Sequence, residues 1–265
     1  MMTRRYKAII AYDGTNFAGF QVQPNVRTVQ GEVEKALTKI AKGKPIRIHG
    51  AGRTDAGVHA KGQVIHFDFP FYIDPQGMMI GLHTMLTEEI AINHVEEVDD
   101  TFHARYLAKA KKYTYRIDNN RVRDPFLRHY SYHHRYPMTK ETVERALAHL
   151  VGTHDFTSFA STHSDKEDKV RTIYQTSVEL NEKTNEWVFT FVGNGFLYNM
   201  IRILMGTLLQ VADGRRPAED IPHIIKAVDR EAAGPTLSPT GLCMETVYYT
   251  VKDIPGYVKG GVRDD

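Results

Sequence analysis

Residues 50–62 read GAGRTDAGVHAKG and set one carboxylate, Asp55, among glycines and alanines, with a guanidinium, Arg53, two positions earlier. Small side chains let another molecule approach the backbone, and glycine supplies the torsions that tight bends need, so the stretch is shaped for access rather than packing. If the chain is extended there, residues 53 and 55 project to the same side, and Arg53 could steady the ionised carboxylate or hold a phosphate beside it. An ionised aspartate that a substrate can reach acts as a nucleophile or a base. The competing reading is a turn aspartate beside a flexible Ala-Gly, which composition alone favours.

Other chemistries lack their residues. The glycines fit neither a dinucleotide fingerprint, whose third glycine position is occupied by Asp55, nor a phosphate loop ending in Gly-Lys-Ser/Thr. A carboxylate aimed into a phosphate cradle would also repel its ligand. The 13 histidines include neither an HExxH nor a zinc-deaminase spacing, and a cysteine pair is impossible with Cys243 alone, so no metal site is expected. Serine-nucleophile chemistry has no Gly-x-Ser-x-Gly elbow.

The elements that must carry Asp55 follow from hydrophobic period. Tyr6 to Tyr12 reads as a strand ended by an Asp13-Gly14 turn, and Thr28 as the N-cap of a helix with Val29, Val33, Ala36, Leu37 and Ile40 on one face. Ile46 and Ile48 alternate into the Asp55 loop; Ile65, Phe67 and Phe69 alternate out of it. A helix over Gln76 to Leu86 and a strand over Ile90 to Val98 complete the order strand, helix, strand, strand, helix, strand, a split βαβ plan.

The second half repeats the plan with insertions. Tyr113, Tyr115 and Ile117 alternate with Lys112, Thr114 and Arg116, which predicts a strand with one aromatic and one basic face. A helix from Thr139 with Gly152 as its stop, strands over Val170 to Leu180 and Glu186 to Val192, an apolar helix over Phe196 to Val211, a short helix near Asp220 to Asp229 and a strand near Cys243 to Val251 follow. The expected fold class is therefore α+β, with two ferredoxin-like halves whose antiparallel sheets flank a central cleft. The expected domains are 1–107, with the Asp55 loop, and 108–251, followed by a tail at 252–265 that is expected to be loose after Ile254.

Arg202 lies inside the apolar helix. Left unpaired there a guanidinium carries a penalty of several kcal/mol, so it needs a carboxylate or a polar cleft, or its stem is buried while its head reaches water. Net charge is only +2, but between His103 and Arg135 nine Lys and Arg face two Asp, interleaved with aromatics such as Tyr106, Tyr113, Phe126 and Tyr130. Such a strip suits RNA phosphates and unpaired bases, and equally a solvated loop. The most apolar run, Phe196 to Ala212, is broken by Asn199, Arg202 and Gln210 and is too short to span a bilayer. With one cysteine, a soluble cytoplasmic protein without membrane attachment is expected.

GRTDAGVHA, with Asp55 at its centre, resembles the signature of the tRNA pseudouridine synthase A family. YDGTNFAGFQVQPNVRTVQGEVEKAL (Tyr12 to Leu37), FHARYLAKAKKYTYRI (Phe102 to Ile117), GTHDFTSF, VRTIY, NGFLYNMIRILMGTLLQVADG (Asn194 to Gly214) and AGPTLSPTGL (Ala233 to Leu242) resemble its other blocks in the same order, to about Val251. Phe20 stands where the family usually has Trp, Leu107 replaces a usual small residue, and Leu237 to Thr240 and Cys243 also depart. The resemblance implies an isomerase that converts uridine to pseudouridine on the 3′ side of the anticodon arm of tRNA, without cofactor or metal, as a homodimer. It implies that Asp55 is the catalytic aspartate, that Arg202 is its basic partner and that Tyr113 stacks on the target base. It further implies that Leu242 forms part of an apolar wall and that Arg53 touches RNA or the flipped nucleotide. A tRNA-binding protein of the same fold with a purely structural Asp55 is the alternative, and a metal-dependent nuclease a third.

Overall fold

A computed structural model describes residues 3–163 and 167–258. In chain order the elements are β1 (Arg4–Tyr12), α1 (Val29–Ile40), β2 (Ile48–Gly50), β3 (His59–Phe69), α2 (Pro75–Met85), β4 (Ile90–Val98), β5 (Ala110–Asp118), β6 (Tyr132–His133), α3 (Lys140–Ala148), β7 (Gly152–Asp155), β8 (Val170–Asn181), β9 (Glu186–Gly193), α4 (Met200–Ala212), α5 (Asp220–Ala227) and β10 (Leu242–Tyr248). The class is α+β, with mostly antiparallel pairing. The chain divides into two compact units: one runs through Lys109 and takes in Cys243–Tyr249, the other spans Ala110–Leu242 and resumes at Thr250.

In the first unit β1 is flanked by β3 and β4 and β2 pairs with the far side of β3, all antiparallel. Alternation in β1 buries Tyr6, Ala8, Ile10 and Tyr12, so one face is core. Thr28 caps α1, its side chain accepting from the Gly31 amide, and Val29, Val33, Ala36 and Leu37 form the buried stripe. Asp74 caps α2, Pro75 opens its first turn, and Met78 and Leu82 are its buried residues. The Tyr6 hydroxyl donates to the Ile73 carbonyl at 2.7 Å and accepts from the Ile73 amide at 2.9 Å, tying the approach to α2 onto the sheet. Cys243 and Met244 of β10 run parallel to His59 and Ala60 of β3. No local pattern signals that long return.

In the second unit β5 pairs with β9, β9 with β8 and β8 with β7, all antiparallel, and β6 runs parallel to the end of β5. Tyr113, Tyr115 and Ile117 sit opposite Phe191, Phe189 and Trp187, so the aromatic face of β5 meets an aromatic face of β9. Helix α4 is buried at every position except Arg202 and Gln210, which explains why its sequence is apolar on nearly every side.

Several expectations shift. The apolar helix begins at Met200, not Phe196, because Asn199 adopts the left-handed conformation (φ 61°) as its N-cap. The helix from Thr139 ends at Ala148; Gly152, expected as its stop, instead opens β7 with φ +127°. Ile46 lies outside β2. The closing strand begins one residue early and ends at Tyr248. Of the tail, Ile254 is buried and the half-exposed Tyr257 has its ring 5.7 Å from that of Tyr174 in β8; residues 259–265 lie outside the described residues.

Candidate active site

The Asp55 loop, residues 51–58, links β2 to β3 and is gripped at several points of its backbone. The Ala51 amide donates to the Val64 carbonyl at 2.8 Å, and the fully buried Gln63 donates its side-chain amide to the Gly52 carbonyl at 2.7 Å. The Thr54 carbonyl accepts from the Phe20 amide at 3.0 Å, and the Thr54 hydroxyl meets the Tyr12 hydroxyl at 2.8 Å. Burial pushes the Tyr12 phenol pKa up, so it stays protonated and able to share that bond. The Val58 amide donates back to the Asp55 carbonyl at 3.1 Å, closing a turn through Gly57 (φ +79°), whose amide reaches the Phe17 carbonyl at 3.3 Å.

This backbone grip decides what the side chains do. Thr54 is buried, while Arg53 before it is exposed and Asp55 after it is half-buried, the inward-outward alternation of an extended segment. A carboxylate on a loop fixed through its main chain is pre-oriented, which is what a nucleophile or base requires. Phe20 is 3% exposed, and its ring lies 2.6 Å from where a Cβ on Gly50 would be. Phe20 therefore packs beneath the loop, against a glycine that makes room for it. Tyr12, Gly14, Phe17, Thr54 and Gln63 support the loop but have no chemical signature; the first three fall within the quoted Tyr12 to Leu37 block and Thr54 within GRTDAGVHA, whereas Gln63 falls in neither.

The other expected site residues belong to the second unit. Tyr113 on β5 is 7% exposed, with its ring edge-on to Phe196 at 5.3 Å. Leu242, also buried, follows a short helical turn at Pro239–Gly241. That turn is drawn onto β5: the Tyr115 hydroxyl donates to the Ser238 carbonyl at 2.7 Å, and a Cβ on Gly241 would meet the Arg116 carbonyl at 2.5 Å. Arg202, in the first turn of α4, donates from Nε to the Leu237 carbonyl at 2.7 Å and from Nη1 to Oδ1 of Asn199 at 2.6 Å, while the Leu237 amide returns a bond to the Arg202 carbonyl at 3.1 Å. The guanidinium is thus oriented by an amide and a carbonyl of its own unit. Arg53 and Asp55 share one loop of the first unit; Tyr113, Arg202 and Leu242 lie in the second.

Asn199 was not singled out in the sequence, although Asn is among the few residues that tolerate a left-handed cap. Asn199→Ala is expected to lower stability by about 2–3 kcal/mol, from a strained alanine and a lost bond to a charged group. Asn199→Gly keeps the backbone free of strain and loses only the bond. Urea midpoints should fall in the order wild type, Gly, Ala; an alanine variant as stable as wild type would refute this account.

The basic and aromatic strip divides between the units. In the second, Asp118 is 1% exposed and organises the loop after β5: its Oδ1 accepts the Asn120 amide at 3.1 Å and its Oδ2 the Asp124 amide at 3.1 Å. Above this base Arg121, Arg123, Arg128 and Phe126 are exposed. A surface of cations with free aromatic faces suits phosphates and unpaired bases. Among the described residues no three His, Cys, Asp or Glu could together hold a metal ion, and no helix is long and apolar enough to cross a membrane.

Known proteins resemble this sequence over most of its length. A family model described as tRNA pseudouridine synthase matches residues 8–107 and 146–250. Three relatives bear the name tRNA pseudouridine synthase A: one from Latilactobacillus sakei, 48% identical over 94% of this chain and 100% of its own length; one from a Geobacillus species, 49% identical over 94% and 99%; and one from Streptococcus sanguinis, 50% identical over 92% and 98%. A solved Cbf5-Nop10-Gar1 complex aligns with a TM-score of 0.36 and 11% identity over 90% of this chain and 57% of that one, too distant a likeness to bear on the fold.

Proposed function

Because the chain belongs to the tRNA pseudouridine synthase family, we propose that it isomerises uridine to pseudouridine in the anticodon stem-loop of tRNA, on its 3′ side. The observation that carries this reading is the family match itself, which runs through the Asp55 loop and the Arg202 helix. The reaction breaks the bond from N1 of uracil to the ribose, turns the base and joins C5 to the same carbon, while a proton leaves C5 and one is taken up at N1. Nothing is oxidised and no group comes from outside, so the chemistry itself calls for no cofactor.

In this proposal Asp55 is the catalytic carboxylate and Tyr113, Arg53, Arg202 and Leu242 bind substrate. Tyr113 stacks on the target base, Arg202 is the basic partner of the aspartate, Leu242 contributes apolar wall and Arg53 contacts RNA. The first domain, 1–107, carries the Asp55 loop and the second, 108–251, carries Tyr113 and Arg202, each on a ferredoxin-like plan. Support for that plan in the first half is the pairing of β1 with β3 and β4, and of β2 with β3. A homodimer and a cytoplasmic location complete the proposal, the latter supported by a single, buried cysteine. The target must leave its stack to reach a carboxylate, at a cost of a few kcal/mol that phosphate contacts from the basic strip offset.

The test is tritium release from tRNA labelled at C5 of uridine. Release into water with an intact RNA chain supports the proposal. Tight binding without release would leave a tRNA-binding protein, and chain cleavage stopped by chelators would leave a nuclease. Tyr113→Phe should keep the stacking ring but lower turnover by about 100-fold if the hydroxyl assists proton transfer; unchanged turnover would show that the ring alone suffices.

A further inference from the structure

The first unit holds an aromatic column apart from the Asp55 loop. Its inner end is set by register, since β2 and β3 place His49 opposite His66, and the two rings stack at 4.9 Å and 21°. His66 lies 4.6 Å from His103, and His103 stacks on Tyr106 at 4.0 Å and 25°. Main-chain amides lock the column. His66 Nδ1 accepts from Ala104 at 3.1 Å, and His103 Nδ1 accepts from both Arg105 and Tyr106 at 3.2 Å. Burial holds His66 near a pKa of about 4 and lowers that of His103, so these two rings are uncharged at neutral pH and do not repel each other.

The outermost ring is the unusual one. Tyr106 is 76% exposed, yet its ring lies stacked on His103 rather than directed away into water. Arg105 and Lys109 beside it are exposed, and no carboxylate lies between them in the chain. A pre-oriented π-face next to cations is the combination that takes an unpaired base together with its phosphate.

We propose that Tyr106 is a stacking platform for an unpaired base of the substrate tRNA other than the target uridine, with Arg105 contacting an adjacent phosphate. This rests on the reading that tRNA is the substrate. The test is the affinity of Tyr106→Ala, Tyr106→Trp and Arg105→Ala for unmodified full-length tRNA, measured by filter binding across a salt series. Tyr106→Ala is expected to bind about 5–50-fold more weakly with an unchanged salt slope, and Tyr106→Trp to bind like wild type. Arg105→Ala is expected to flatten the slope of log Kd against log salt by about one. The platform is refuted if Tyr106→Ala binds within twofold of wild type, if Trp fails to restore binding, or if the alanine variant changes the sedimentation coefficient, which would make the ring a contact between copies of the chain. Tritium release by wild type, run alongside, separates the two readings: binding without release fails the isomerase while the Tyr106 series still decides the platform, and failure of wild type to bind tRNA overturns both.

Discussion

Asp55→Asn is expected to abolish pseudouridine formation while leaving a folded protein that still binds tRNA. The substitution keeps the shape of the side chain and removes its charge, so it deletes a nucleophile or base. The loop around it is fixed by main-chain bonds from Ala51, Gly52 and Thr54 to Val64, Gln63 and Phe20, none of which involves the Asp55 side chain. Turnover should fall by about four orders of magnitude or more, equivalent to ~5.5 kcal/mol of barrier. Tritium release, filter binding of tRNA and the urea midpoint measured on one preparation decide it. Retained turnover would remove Asp55 from catalysis whatever the other two readings show.

Gly14→Ala should come second, and it acts at a distance in sequence. A Cβ at position 14 would lie 2.0 Å from the Val58 carbonyl oxygen and 2.5 Å from its carbon, both backbone atoms of the turn that follows Asp55. Neither can swing away as a side-chain tip could, so the 13–19 segment and the Asp55 loop must separate. That separation also weakens the bond from the Gly14 amide to His59 at 3.1 Å. A loss of about 2–4 kcal/mol of stability is expected, with turnover down about 100-fold because a displacement near 1 Å misaligns a reacting group. Gly43→Ala is the control: its φ is +88° but nothing lies within 4 Å of the added carbon, so only about 1–2 kcal/mol of backbone strain is expected and turnover should hold. If the two variants behave alike, the tight fit of Gly14 against the loop is not what positions Asp55.

Both results turn on the difference between a residue that announces chemistry and one that places it. Asp55 was visible because a charged side chain among small ones departs from what packing alone would select. Gly14 and Thr54 were not, because a glycine in a turn and a threonine in a loop have ordinary local explanations. Asn199 was equally silent: its left-handed cap and its bond to Arg202 moved the start of α4 four residues beyond the first apolar position. The histidine column shows the same limit. His49, His66 and His103 are scattered along the chain with no spacing that signals a role, and only pairing of β2 with β3 stacks the first two.

What the sequence determined by itself was whatever depends on neighbours within a turn or two: alternation in β1, the Thr28 cap and apolar stripe of α1, the nearly all-round burial of α4, and the accessible Asp55 loop. Tertiary structure alone decided which distant groups meet. The Tyr12 to Thr54 bond joins residues 42 apart, the Tyr6 to Ile73 bond spans 67, and β10 returns to β3 across more than half of the chain. Period and capping are short-range steric and hydrogen-bond effects that each segment carries alone. Those long-range partners are selected only when buried polar groups must all be satisfied at once in a packed interior.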